Sequence, residues 1–227
     1  MKKSIGILAG MGPRSTSPFL ESVLDQCQIQ YGAKHDIDYP HIMIYSLPTP
    51  FYLDRPIDHK VMRETIIEGI QHLESTGVSC IAMPCNSAHI YFDELKEKIS
   101  IPLLNIVEET VKRVDSNRKI TIFATESTFN SELYQKGILN SDNQFIFKSD
   151  WQKKINIIIQ MIKEKKEISE VNLYWDELVK QAIDEDVDDI IIACTDLSVL
   201  KSKFKDEVNF IDSSHALAES LIKEYLK

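Results

Sequence analysis

Two cysteines stand in near-matching places in the two halves of the chain, Cys85 in Cys80-Ile81-Ala82-Met83-Pro84-Cys85-Asn86-Ser87 and Cys194 in Ile190-Ile191-Ile192-Ala193-Cys194-Thr195-Asp196. Each closes a short apolar run of buried-strand type and is followed by a polar residue suited to begin a helix, Asn86 or Thr195. Open α/β sheets place their ligand sites at such strand-to-helix turns. A free thiol titrates at about 8.5, and a helix N-terminus lowers that value by offering unpaired N–H groups and partial positive charge. One thiolate can then serve as base while the other, neutral thiol serves as acid. On opposite faces of a tetrahedral carbon they remove a proton from one side and return one to the other, giving the mirror image. The same helix starts, with donors on Asn86, Ser87 and Thr195, suit a carboxylate. They also stabilise the negative charge that builds on it as the α-proton leaves.

Positioning such residues requires a sheet, and short β-branched runs alternate with amphipathic stretches along the whole chain. The pattern predicts an α/β fold with mostly parallel strands flanked by helices. Strands are expected at 4–9, 41–46, 79–83 and 102–105, with helices over 15–30, 58–75 and 86–98. The pattern then restarts: Lys119 to Ala124 resembles Ser4 to Ala9, Asp189 to Cys194 resembles Ser79 to Cys85, and Asn209 to Asp212 resembles Ile101 to Asn105. This is an internal repeat of an entire α/β unit. It predicts two similar Rossmann-like domains related by pseudo-twofold symmetry, with the site in the cleft between them and the thiols approaching from opposite sides. The expected division is 1–114 plus 213–227 for the first domain and 115–212 for the second.

Composition limits the alternatives. The 227 residues are 43% apolar and 27% charged, enough for a real core without disulfide or metal staples, and no apolar run approaches the roughly 18 residues of a membrane helix. The basic start and short apolar stretch within Met1 to Pro13 is strand-length and broken by Gly6, Gly10, Gly12 and Pro13, so it does not read as a signal peptide. Four unclustered cysteines then suggest reduced thiols in a cytoplasmic protein. A net charge of −9 argues against nucleic acid or an anionic membrane as partner, but not against a small anionic substrate.

Four segments carry a family resemblance: Gly10-Met11-Gly12-Pro13, Met83-Pro84-Cys85-Asn86-Ser87-Ala88-His89, Ala124-Thr125-Glu126-Ser127-Thr128 followed by Leu133-Tyr134, and Ala193-Cys194-Thr195-Asp196-Leu197. In this order they resemble the aspartate/glutamate racemase family, closest to aspartate racemase. The resemblance implies two α/β domains, no pyridoxal phosphate or other cofactor, no metal, a homodimer, and a C-terminal helix over 213–226 that returns to the first domain. It makes Cys85 and Cys194 the acid/base pair. Asn86, Ser87, Thr125, Thr128 and Thr195 become holders of the α-carboxylate and amino group of a small acidic amino acid. Arg55 matches a family arginine for the side-chain carboxylate, and Lys163 is the choice for a second cation, although an alternative alignment puts Glu164 there. The family tyrosine one turn before that lysine is absent, and Ser87 and Asp196 replace the more usual threonine and glutamate.

Structural roles compete with each assignment. Cys27, on a helix, and Cys80, inside a strand, read as core thiols. Arg55 could simply pair with Asp54 or Asp58, Lys163 stands in a run with Lys165 and Lys166 that suits a solvated helix face, and Thr125 and Thr128 suit helix caps. His89, one turn after Cys85, suggests either a packed histidine or a Cys-His nucleophile pair. The Gly10-Met11-Gly12 turn lacks the full glycine pattern of a nucleotide site. The reading is a racemase interconverting L- and D-aspartate, and possibly glutamate. The alternatives are a two-cysteine isomerase of small dicarboxylates and a catalytically idle amino-acid-binding protein of the same fold.

Overall fold

The computed structural model describes residues 3–51, 56–200 and 202–227. Its elements run β1 (Ser4–Ala9), α1 (Thr16–Tyr31), β2 (His41–Ser46), α2 (His59–Ser75), β3 (Cys80–Ala82), α3 (Phe92–Lys96), α4 (Ile106–Val111), β4 (Lys119–Ala124), α5 (Glu126–Asn130), α6 (Leu133–Leu139), β5 (Gln144–Phe145), α7 (Ser149–Lys163), α8 (Ile168–Asp184), β6 (Asp189–Ala193), β7 (Asn209–Asp212) and α9 (Ser213–Tyr225). The chain forms two compact units, Met1–Ile106 with Leu217–Lys227, and Val107–Ala216. The divisions thus fall at 106/107 and 216/217, eight residues before and four residues after those expected at 114/115 and 212/213. Local packing explains the difference: the Tyr134 hydroxyl hydrogen-bonds Thr110 and Ser213, and Gly137 leaves room for Val111.

In the first unit a parallel sheet has the order β2-β1-β3, extended beyond β3 by a single parallel bridge between Ile81 and Leu103. Pro102 has no N–H to donate, so the expected strand over 102–105 contributes only its carbonyl to Ile81 and the Leu104 N–H to the Ile81 carbonyl. Helix α2 starts where Asp58 accepts from the Lys60 and Val61 amides, and buries Met62, Ile66, Ile70 and Leu73 against Leu8, Ile81 and Met83. Gly10, with φ +93°, ends β1; a Cβ there would lie 2.5 Å from the Leu47 carbonyl oxygen, so only glycine lets the two strand ends approach. At the other end of the unit, Gln30 donates to the Glu219 carbonyl and the rings of Tyr31 and Tyr225 lie 6.4 Å apart, fastening the end of α9 to α1.

The second unit has a parallel sheet of order β5-β4-β6-β7, the same succession of second, first, third and fourth strands. Its core gathers α7 and α8 over Phe123, where Trp151 and Trp175 meet that ring edge-on. The buried Asp189 at the start of β6 is held by the Arg118 guanidinium at 2.9 Å and the Asn209 amide at 2.7 Å, which compensates the burial of its charge. Among the described residues no helix is long and apolar enough to cross a membrane, and no group of three potential metal ligands occurs.

Candidate active site

Ladder register makes the two cysteines equivalent. Ile5 of β1 pairs with Cys80 of β3, and Ile120 of β4 pairs with Asp189 of β6; each unit's thiol lies five residues further on, at Cys85 and at Cys194. Both therefore emerge just beyond the carboxyl end of the third strand of their unit. There the sequence switches from apolar strand residues to Asn86-Ser87 or Thr195-Asp196, and the backbone turns over.

Neither turn opens a long helix. The segment expected as one helix over 86–98 is a 3-10 helix at Ser87–Tyr91 followed by the five-residue α3, and Cys194 is followed only by a three-residue 3-10 helix at Leu197–Val199. Ser87, His89, Ile90 and Tyr91 are indifferent helix formers, and tight turns end before a dipole accumulates. The expectation of a longer helix after each thiol is corrected accordingly.

The Cys85 turn is fixed by His89. The Cys85 amide donates to the Met83 carbonyl at 2.8 Å, and the His89 amide to the Asn86 carbonyl at 3.0 Å. The His89 ring, 2% exposed, accepts at Nε2 from the Ile106 amide at 3.2 Å. Its proton is then on Nδ1, which donates to the Cys85 carbonyl at 2.8 Å. Burial pushes its pKa down to about 4, against a smaller opposing effect of the backbone hydrogen bonds. His89 is thus a neutral strut between the turn and the start of α4, and with both nitrogens engaged by backbone it is not the base of a Cys-His pair.

At the second turn the Leu197 amide donates to the Cys194 carbonyl at 2.9 Å. Ser198, four residues after Cys194 as His89 is after Cys85, donates to Asp212 at 3.1 Å. Asp212 also accepts from the Ser214 and His215 amides at the start of α9. Cys194 is buried and Cys85 half-buried. Cys27 and Cys80 are buried core thiols, both raised in pKa chiefly by burial, Cys80 to about 11.

The other expected residues fall as follows. Asn86, buried, and Ser87, half-buried, share the Cys85 turn. Ala124 of β4 pairs with Ala193 of β6, so Thr125 and Cys194 leave neighbouring strands side by side, with Thr195 next. Thr125 caps α5, accepting from the Thr128 amide, and its hydroxyl lies 3.0 Å from the Thr128 hydroxyl. Lys163, the last residue of α7, lies with its Nζ 3.7 Å from the Asp196 carboxylate. Arg55 falls outside the described residues. Sequence reasoning missed the roles of Ser198 and of Gln152, whose amide donates to the Ala124 carbonyl at 3.0 Å; the equal offset of His89 and Ser198 from their cysteines was the available signal.

Comparison with known proteins identifies the family. Residues 8–221 match the family model described as Asp/Glu/Hydantoin racemase. The broad specificity amino-acid racemase RacX of Bacillus subtilis is 48% identical over 98% of both chains. A glutamate racemase from a Sulfurihydrogenibium species is 30% identical over 64% of this chain and 58% of its own. Among solved structures, the aspartate racemase of Picrophilus torridus superposes with a TM-score of 0.78, at 27% identity, over 99% of this chain and 95% of that one. From the duplicated parallel sheets, the matched thiol turns and these similarities, the chain belongs to the Asp/Glu/hydantoin racemase family.

Proposed function

We propose that the chain, an amino-acid racemase by family, inverts Cα by two-base proton exchange between Cys85 and Cys194 without a cofactor, with aspartate and glutamate among its substrates. The carrying observation is the ladder register that gives both thiols the same place in their units. One Sγ thiolate takes the α-proton, the pair of electrons left on Cα delocalises into the carboxylate, and the other Sγ–H returns a proton to the opposite face. Each turn is then left with the opposite protonation state, ready for the reverse direction. Asn86, Ser87, Thr125, Thr128 and Thr195 hold the α-carboxylate and amino group, donating to oxygens whose charge rises as the proton leaves. Arg55 and Lys163 are assigned to the substrate's side chain. We also place the protein in the cytoplasm as a homodimer, for which light scattering should return a mass near twice that of one chain.

The similarity to a broad specificity racemase favours a substrate range wider than the two acids. Retention of both thiols argues against an idle binding protein of this fold, and a dicarboxylate isomerase would turn over unsaturated diacids instead. Incubation with L-aspartate, L-glutamate and a panel of other amino acids in heavy water, with no pyridoxal phosphate added, discriminates these readings. Deuterium should enter Cα as the D-form accumulates; failure of exchange with every amino acid would end the racemase reading.

A further inference from the structure

We infer that Gln152 is a positioning residue of the reaction, standing in for missing strand backbone and fixing Thr125 beside Cys194. The inference rests on the racemase reading for what Thr125 does. In the first unit β2 runs the full length of β1, and just past it the Leu47 amide donates to the Ala9 carbonyl at 2.9 Å. Ala124 is the matching residue of the second unit, the last of β4. There β5 is only two residues long, and the Ile146 amide just past it donates to the Ile120 carbonyl at 2.8 Å. Continued in register, the ladder would bring the Asp150 amide to Ala124, but Asp150 already lies in the first turn of α7. The Gln152 side chain supplies the donor instead, its Nε2 lying 3.0 Å from the Ala124 carbonyl oxygen. The same Nε2 donates to Asn156 Oδ1 at 2.9 Å, one turn along α7, which holds the amide in one orientation. Its Oε1, by contrast, is buried with no hydrogen-bond partner among the described residues. That burial is costly, and an apolar side chain of this size would avoid it; what the glutamine adds is the N–H. The Ala124 carbonyl and the Thr125 amide share one planar peptide unit, so holding the oxygen orients Thr125 and the hydroxyl with which it caps α5.

A double-mutant cycle with Thr125 makes the test, read as kcat/KM for whichever amino acid of the panel turns over fastest. Gln152→Met keeps the length of the side chain without a donor, and should lower kcat/KM about tenfold or more by letting the Thr125 turn shift. Gln152→Glu, closer still in shape, should lose at least as much, because its carboxylate meets the carbonyl oxygen with no proton to give. In a Thr125→Ala background Gln152→Met should cost less than about twofold, since the group it positions is gone. Amide hydrogen exchange at 125–128 should quicken in Gln152→Met, a readout that needs no turnover. A merely structural role would give the same loss with and without Thr125, which overturns the inference. So would wild-type kcat/KM in Gln152→Glu, or unchanged exchange at 125–128. If Gln152→Met does not fold, the same cycle and exchange measurement are run with Gln152→Glu. Should the wild type put deuterium into Cα of no amino acid, the racemase reading fails, and hydrogen exchange still decides whether Gln152 fixes the turn.

Discussion

The turn after Cys85 and the turn after Cys194 occupy the same rung of two parallel ladders, yet different chemistry holds them. In the first unit a neutral, buried imidazole joins the Cys85 carbonyl to the Ile106 amide. In the second, the hydroxyl of Ser198 reaches an aspartate, Asp212, that is already occupied in capping α9. The next strand end differs as well: Gly10 in the first unit admits the close approach of Leu47, while Thr125 in the second caps a helix with its hydroxyl. Backbone pairing therefore sets where each thiol emerges, and the side chains that brace it are free to differ between the halves.

The largest effects should come from the thiols. If the two turns are chemically equivalent, replacing either Cys85 or Cys194 by alanine removes an acid or base worth roughly 10²–10⁴-fold in rate. Complete racemisation should be lost in both variants, as followed by chiral chromatography. A variant with wild-type turnover would falsify the role of that thiol and break the comparison at its root.

Next is the strut. His89→Ala strands the buried Ile106 N–H and opens a cavity, so unfolding free energy should fall by about 1–3 kcal/mol for the unpaired group alone. kcat should fall with it, as the Cys85 carbonyl loses its anchor. His89→Gln, which can supply an acceptor, should recover part of both. Ser198→Ala, the matching change in the other unit, loses one hydrogen bond and should cost only about 0.5–1.5 kcal/mol in the same denaturation experiment. Equal losses at the two positions would contradict the difference in bracing.

The turns should also separate by pH. His89 has a folded pKa depressed to about 4, below the 6.5 of an exposed histidine, so the unfolded chain takes up its proton first as pH falls. Its contribution to stability is complete above about 6.5 and is lost as pH falls through the folded value near 4. Thermal unfolding followed between those limits should show a descending slope that His89→Gln removes and Ser198→Ala leaves in place. At the smallest scale, Thr125→Ala should cost about 1 kcal/mol through loss of the α5 cap, seen as a modest drop in Tm.

Much of the frame was legible in the residues. β1, β2, β4 and β7 occupy the spans their alternating or continuous apolar runs predict, and Asp58 marks the start of α2 as a capping aspartate should. Where local and tertiary preferences conflict, sequence reading fell short. The strand over 102–105 shrank to the Leu103 bridge because a proline cannot donate to a ladder. The helix over 86–98 broke at Tyr91 because His89 needs a tight turn to reach both the Cys85 carbonyl and the Ile106 amide, a requirement that exists only once those segments adjoin.

By itself, the sequence determined the repeat, the parallel α/β character and the matching places of the two thiols in it, because hydrophobic period and motif order are local properties of the chain. Tertiary structure alone decided three things: that register puts Cys85 and Cys194 on the same rung, that His89 is a neutral strut, and that Lys163 is met by Asp196. Each depends on groups brought together from distant positions, whose hydrogen bonds and charges have no counterpart in the linear pattern.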